Sequence, residues 1–266
     1  MIARAAIAAA ILVGCTASEP PTPESGPYRR LVLDDMALPT SFVLADSLGI
    51  DLNGDGNVDN ALGTALRTLF AQGDVRDDSS VRGLIGSGAV PSLIDVFGSG
   101  DLVGVAFHGT PTSDATVLRG TVDGAGGIDA ELQETSLTLL LPALVDADPS
   151  PVQLDYAALE LSPTGDGGYD VGLQGLAEDK PLKNAACVGL IQMIENDPED
   201  HQEVLMLLDT NQDGKTSLAE CVASSVVATL LYPDVMGPDD QPYFSIGLGM
   251  HVVTPPSVPP AEPRSP

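Results

Sequence analysis

The stretch "YFSIGLGMHVV" near the end of the chain puts Phe244, Ile246, Leu248, Met250 and Val252 on one side of an extended backbone, with small or polar residues opposite. Successive strand side chains point to opposite faces, so this alternation commits the segment to one buried face. The pattern recurs at Val103, Val105 and Phe107, at Val152, Leu154 and Tyr156, and at Tyr169, Val171 and Leu173. These runs are short and separated by Gly, Pro and Asp, which favours an antiparallel sandwich or barrel over parallel βαβ units. The glycine-rich strings "GSGDLVG" and "GDGG" lack a phosphate-loop lysine and read as turns. Tryptophan is absent, so a core must be built mainly from Leu, Val, Ala and Ile.

A different chemistry appears at "DTNQDGKTSLAE", residues 209–220. Oxygen-bearing groups recur at positions 1, 3, 5, 7, 9 and 12: Asp209, Asn211, Asp213, the carbonyl of Lys215, Ser217 and Glu220. Gly214 stands at position 6, where the chain must turn sharply. Six to eight hard oxygens at about 2.3–2.6 Å suit calcium. The flanks predict helices. Asp197, Pro198, Glu199 and Asp200 read as a cap, a first-position proline and acids in the first turn of a helix burying Val204, Leu205, Leu207 and Leu208. Leu218, Val222, Val226 and Leu230 recur every fourth residue up to Pro233. Residues 198–232 therefore resemble the EF-hand family, whose D-x-[DN]-x-[DN]-G-x5-E signature is matched at each specified place. The resemblance implies a bound Ca2+ ion. The alternative is a polar loop without metal.

A second stretch, "DLNGDGNVDNALG" at 51–63, repeats part of the pattern, with Asp51, Asn53, Asp55, Asn57 and Asp59 in ligand places and Leu62 where a glutamate would stand. It resembles the shorter calcium loops of dockerins and thrombospondin type 3 repeats, and a metal-free glycine-rich turn is the alternative. The preceding "SFVLADSLG" reads as a strand or turn. Ala61, Leu62, Ala65, Leu66, Leu69 and Phe70 share one face of a helix that follows.

Strand-like sequence lies on both sides of the helical region. The expected fold class is α+β, an antiparallel β-rich, sandwich-like body over 30–180 and 237–254 with a helical EF-hand subdomain inserted at 181–236. Arg4, an apolar run from Ala5 to Val13, Gly14 and Cys15 form a secretory signal over 1–15, too short to span a bilayer. "LVGC" resembles the lipobox of bacterial lipoproteins, which implies lipidation of Cys15, cleavage before it and attachment to the cell envelope. Thr16 after the cysteine, where some lipoproteins have Asp, points to the outer membrane. Residues 16–29 read as a Pro/Ser/Thr-rich tether and 255–266 as a disordered tail. The lipobox, the tether, "DGNVDNALG", the late EF-hand and "SIGLGM" together resemble uncharacterised lipoproteins of myxobacterial type, a resemblance that implies location and domain order but no activity.

Net charge is −27, which argues against nucleic acid and anionic lipid headgroups as partners and suits calcium. With Cys15 committed to lipid, Cys187 and Cys221 remain as one pair. An oxidising compartment makes a disulfide between them the expectation, tying the exiting helix to "KNAACVGLIQMIE". His108, His201 and His251 fit no zinc or hydrolase motif, so no enzyme is expected. The leading reading is a lipid-anchored calcium-binding protein with the ion as brace. Alternatives are a calcium-dependent module binding a protein or glycan, and a hydrolase with a carboxylate pair.

Overall fold

The computed structural model describes residues 28–49, 51, 58–70, 74–90, 93–109, 115–131, 136–237 and 240–255. Strand β1 (Tyr28–Ala37) leads into helices α1 (Phe42–Leu48), α2 (Ala61–Phe70) and α3 (Asp78–Gly86). Strands β2 (Leu93–Ser99), β3 (Leu102–His108), β4 (Thr116–Val122), β5 (Ile128–Glu131), β6 (Leu137–Leu141), β7 (Ser150–Pro163) and β8 (Tyr169–Glu178) follow. Helices α4 (Asp179–Asn196), α5 (Gln202–Leu208), α6 (Leu218–Ala223) and α7 (Ser225–Leu230) then precede β9 (Val235–Met236) and β10 (Pro242–Val253).

The strand pairings among the described residues are antiparallel, and they run β1-β2-β3-β4-β5-β7-β8-β10 before β10 pairs back onto β1. The α+β, antiparallel expectation holds, but the body is a closed ring of eight strands and not two facing sheets. Closure leaves no exposed edge along that ring. Its interior is filled in register: Leu161 pairs with Val171 across β7 and β8, while Leu173 pairs with Leu248 and Val171 with Met250 across β8 and β10. Leu31, Val105, Leu118 and Ala130 continue the same buried surface around the ring.

Two irregularities make the closure possible. The register of β1 slips between Leu33 and Asp35, so Leu31 and Leu33 point inward before the slip and Met36 after it. In β7 the slip lies between Asp155 and Ala158, where Tyr156 has φ 51°. Val152 and Leu154 are buried before it, and Ala157, Leu159 and Leu161 after it. Tyr156, expected to share the buried face with Leu154, is therefore exposed. The same slip divides the strand's partners: β6 pairs with its first half and β5 with its second. Bulges bend a strand and increase its twist in this way.

Tight hairpin turns gather at one end of the barrel. Asp123 accepts from the amides of Ala125 and Gly127, Asp166 accepts from that of Gly168, and Gly126 and Gly167 take the left-handed φ that each turn requires. Of the glycine-rich strings, "GDGG" is a turn as expected, whereas "GSGDLVG" turns only at Gly100 and Asp101 and is otherwise part of β2 and β3. Helices occupy the opposite end. They share one continuous core with the barrel, to which Leu62, Leu66, Leu182, Met193, Leu208 and Val227 belong.

The segment expected as a strand or turn before residue 51 is helix α1, started by the Ser41 hydroxyl accepting from the Leu44 amide. Helix α2 forms where the amphipathic pattern placed it. Strand β1 begins at Tyr28, inside the stretch assigned to the tether, and Arg30 there forms a bidentate pair with Asp95 at 2.9 Å. Asn60 fastens this region to the barrel. Its amide nitrogen donates to the carbonyls of Ala45 and Gly247, and its oxygen accepts from the amides of Gly63 and Gly247. Replacing Asn60 with Ala should remove the side-chain partner of both Gly247 backbone groups, while Gly63 keeps its bond to the main-chain carbonyl of residue 60, and cost about 1–3 kcal/mol, read as a lower midpoint in chemical denaturation.

Candidate metal centre

Helix α5 enters and α6 leaves the 209–220 loop, but both are shorter than the periodicity predicted. Residues 198–201 form turns, with the Asp197 carboxylate accepting from the Asp200 amide, so regular helix begins at Gln202 and not at Pro198. Leu208 is buried, Val204 and Leu205 are half-buried, and Leu207 is exposed, contrary to expectation. The exiting helix breaks at Ser224, whose hydroxyl accepts from the Val227 amide and starts a new helix, α7. This break rotates the buried stripe onto Cys221, Val227 and Leu231, while Leu218 is exposed.

Within the loop the carboxylates are held by backbone amides. Asp209 accepts from the amides of Asp213 at 3.2 Å and Gly214 at 2.8 Å, Asn211 from that of Asp213 at 2.8 Å, and Asp213 from that of Lys215 at 3.0 Å. Gln212 and Gly214 have φ of 61° and 83°, and the left-handed turn at Gly214 explains the glycine at position 6. Ser217 and Glu220 form a capping box. The Ser217 hydroxyl accepts from the Glu220 amide, while its amide and hydroxyl donate to Glu220 Oε2 at 3.0 and 2.7 Å. These bonds hold the Glu220 carboxyl below its usual range, against partial desolvation and the like charge of Asp209, which push it up.

One oxygen of this box is left over. Glu220 Oε1 and the Thr216 hydroxyl are each covered from solvent with no hydrogen bond of ordinary geometry, although the Asn211 amide lies close enough to the Glu220 carboxylate to help lower its pKa. A buried carboxylate oxygen without a donor is costly, and a cation is the natural way to satisfy it. The donor set of carboxylate, amide, carbonyl and hydroxyl oxygens fits calcium chemistry. Among the described residues, no three His, Cys, Asp or Glu side chains converge as a metal cluster. Asp209, Asp213 and Glu220 each turn oxygens toward amides instead.

Cys221, next to Glu220, is disulfide-bonded to Cys187 of α4, with their Cα atoms 5.8 Å apart. Both cysteines are fully buried. The cross-link ties α6 to α4, as the pairing of the two cysteines predicted. Of the second loop, Asp51 and Asp59 are described, whereas Asn53, Asp55 and Asn57 lie outside the described residues, as does Cys15. A side chain on Gly49 would run into Asp59 and Asn60, so the two ends of that loop meet.

Each histidine lies against carboxylate. His201, at the start of α5, stands 3.3 Å from both Asp74 and Asp146, joining three separate segments. Burial pushes the Asp74 carboxyl up, while His201 pulls it down. Linear spacing carried no sign of this group. His108 reaches Asp95 at 3.1 Å. His251 lies between Asp170 at 2.8 Å and Asp166 at 3.3 Å, so both its nitrogens are engaged.

No described helix is long and apolar enough to cross a membrane. Comparison with protein-family models, with curated proteins and with solved structures yields no match to this chain.

Two measurements probe this region. Replacing Cys187 and Cys221 with Ser releases a cross-link across 34 positions, with an expected loss of about 3–4 kcal/mol in denaturant unfolding. The pKa of His251 is raised, chiefly by its hydrogen bond to Asp170, so the folded state binds its proton more tightly than the unfolded chain. That contribution is full below about pH 6.5, the unfolded value, and disappears as pH rises through the higher folded value. The melting temperature of His251→Gln should therefore fall furthest below the parent in mild acid and approach it in alkali.

Proposed function

We propose that this chain is an exported calcium-binding protein, held on the cell envelope by lipid at Cys15, in which an EF-hand-like loop takes one ion as a structural brace. Asp209, Asn211, Asp213, the carbonyl of Lys215, Ser217 and Glu220 would hold it. The observation that carries this reading is Oε1 of Glu220, covered from solvent without a hydrogen bond of ordinary geometry at the place where the loop pattern calls for a bidentate carboxylate. Calcium supplies two positive charges to a loop with three carboxylates, relieving their repulsion. The Cys187–Cys221 disulfide supports an oxidising compartment, in keeping with export.

A brace is favoured over a switch for a mechanical reason. Opening a helix pair requires the exiting helix to swing, and here α6 is bonded covalently to α4 one residue after Glu220. Extracellular calcium modules bind with dissociation constants of about 10⁻⁴–10⁻³ M, so an envelope site of this kind would be filled much of the time. Stabilisation is about 2.7 kcal/mol at one hundred times the dissociation constant and about 0.4 kcal/mol at half-filling. No catalytic role is assigned.

Calorimetric titration of calcium into the chain from Thr16 onward, with melting followed in the same samples, tests this. One site is expected, with a higher melting temperature at saturation and an unchanged scattering radius, and Glu220→Gln should abolish the binding. The absence of both binding heat and stabilisation at millimolar calcium would refute the reading.

A further inference from the structure

His201 is buried, and each of its ring nitrogens faces a carboxylate on a different segment. Nδ1 stands 3.3 Å from Asp74 Oδ1, on the segment after α2, and Nε2 stands 3.3 Å from Asp146 Oδ2, on the connection between β6 and β7. A neutral imidazole carries one N–H and can donate to only one of them, leaving the other carboxylate opposite a lone pair. The imidazolium donates to both.

The two carboxylates differ in their access to water. The Asp74 side chain is 8% exposed and that of Asp146 is 54% exposed. Burial pushes the Asp74 carboxyl up, the His201 ring pulls it down, and Glu203 on α5 adds a smaller push. Asp74 cannot turn to solvent, so a neutral ring keeps its single N–H there, whereas Asp146 can exchange the ring for water. Other charged groups on these segments have their own partners. Arg76 donates to the Ala147 carbonyl, Asp77 caps α3, Asp148 accepts from Gln192, and Asp197 accepts from the Asp200 amide. Glu199 and Asp200, in the turn before α5, are exposed.

The helix that carries the ring is otherwise lightly held. Of the seven residues of α5, Leu208 is buried and Val204 and Leu205 are half-buried, while Met206 and Leu207 are exposed. The Leu205 amide donates to the His201 carbonyl, so the ring and the first turn of the helix share one residue. An element with so few buried contacts opens locally at small cost, and a single tie alters that cost.

We propose that His201 is a proton-operated latch: as imidazolium it grips Asp74 and Asp146 together and clamps α5 to both segments, and as neutral imidazole it keeps Asp74 and releases Asp146. Histidine is the side chain that ordinarily changes charge between about pH 5 and 8, so α5 is held more tightly in mild acid than in mild alkali. The latch does not depend on the calcium reading, although α5 leads into that loop.

The experiment is hydrogen exchange of the full chain with calcium chelated, at two pH values on either side of that range and with rates corrected for the intrinsic effect of pH. Protection of the α5 amides should be about twofold to fivefold greater on the acid side, the range for a partly exposed charge pair. His201→Gln should remove the difference. So should Asp146→Asn, because an amide can bond either form of the ring, and this change at an exposed side chain keeps the test open if His201→Gln does not fold. His108→Gln and His251→Gln should preserve the difference. Equal protection of α5 at both pH values in the parent, a difference that persists in Asp146→Asn, or one that either of the other histidine variants removes would overturn the proposal.

Discussion

Strand β10 carries hydrogen-bond ladders to β1 and β8 along its two edges and packing on both of its faces. Phe244, Ile246, Leu248 and Met250 fill the barrel, while Ser245, Gly247 and Gly249 on the other face receive α1 and the start of α2. The outer face accepts this close approach because two of its residues have no side chain. A Cβ on Gly247 would meet the Leu48 carbonyl and Asn60. In the space that remains, Asn60 makes side-chain bonds to both polar groups of the Gly247 peptide backbone. The Ser245 hydroxyl accepts from the amide of Ala61 and donates to Asp234 at 2.5 Å. Barrel closure, the seat of the first helices and the return from the last helix thus meet on one strand.

The helices that surround the 209–220 loop depend on that frame. Helix α4 leaves β8 and packs back on β7, and the disulfide carries its position to α6 and so to Glu220. The loop's own backbone amides hold Asp209, Asn211 and Asp213 from within. Its side chains are therefore organised from two directions, by a covalent tie at its end and by turn geometry at its start. Such preorganisation lowers the entropy that ordering by a ligand must otherwise overcome.

Local pattern made part of this legible. The alternation holds in β8 from Tyr169 to Leu173 and in β10 from Phe244 to Val252, before Leu176 and Tyr243 bury the opposite face, and Gly214 takes the left-handed φ that its place in the loop calls for. What escaped was whatever depended on distant partners. Strand β1 was hidden because the slip after Leu33 moves Met36 out of phase, and β7 changes phase at Tyr156 for the same reason. Helix α1 was misread because Phe42 and Val43 favour strands, while Ser41, its cap, is weak evidence alone. The Ser224 break was missed because the fourfold spacing of Leu218, Val222, Val226 and Leu230 mimics one continuous face. Asn60 stood out least, since its meaning depends on Gly247, 187 positions away.

The pairing of Val32 with Val253 joins residues more than two hundred positions apart. Contacts of such separation form late, because loop closure must precede any gain from them. The disulfide, by contrast, spans 34 positions, and the hairpins β3–β4 and β7–β8 are local. Assembly of this chain therefore has a fixed final act. Hairpins and the cross-linked helices can form as the chain emerges, but the ring stays open until its last strand has been delivered. Were the chain exported amino-terminus first, as proposed above, the barrel would close only after β10 had crossed, so the crossing would be nearly over before the fold was complete.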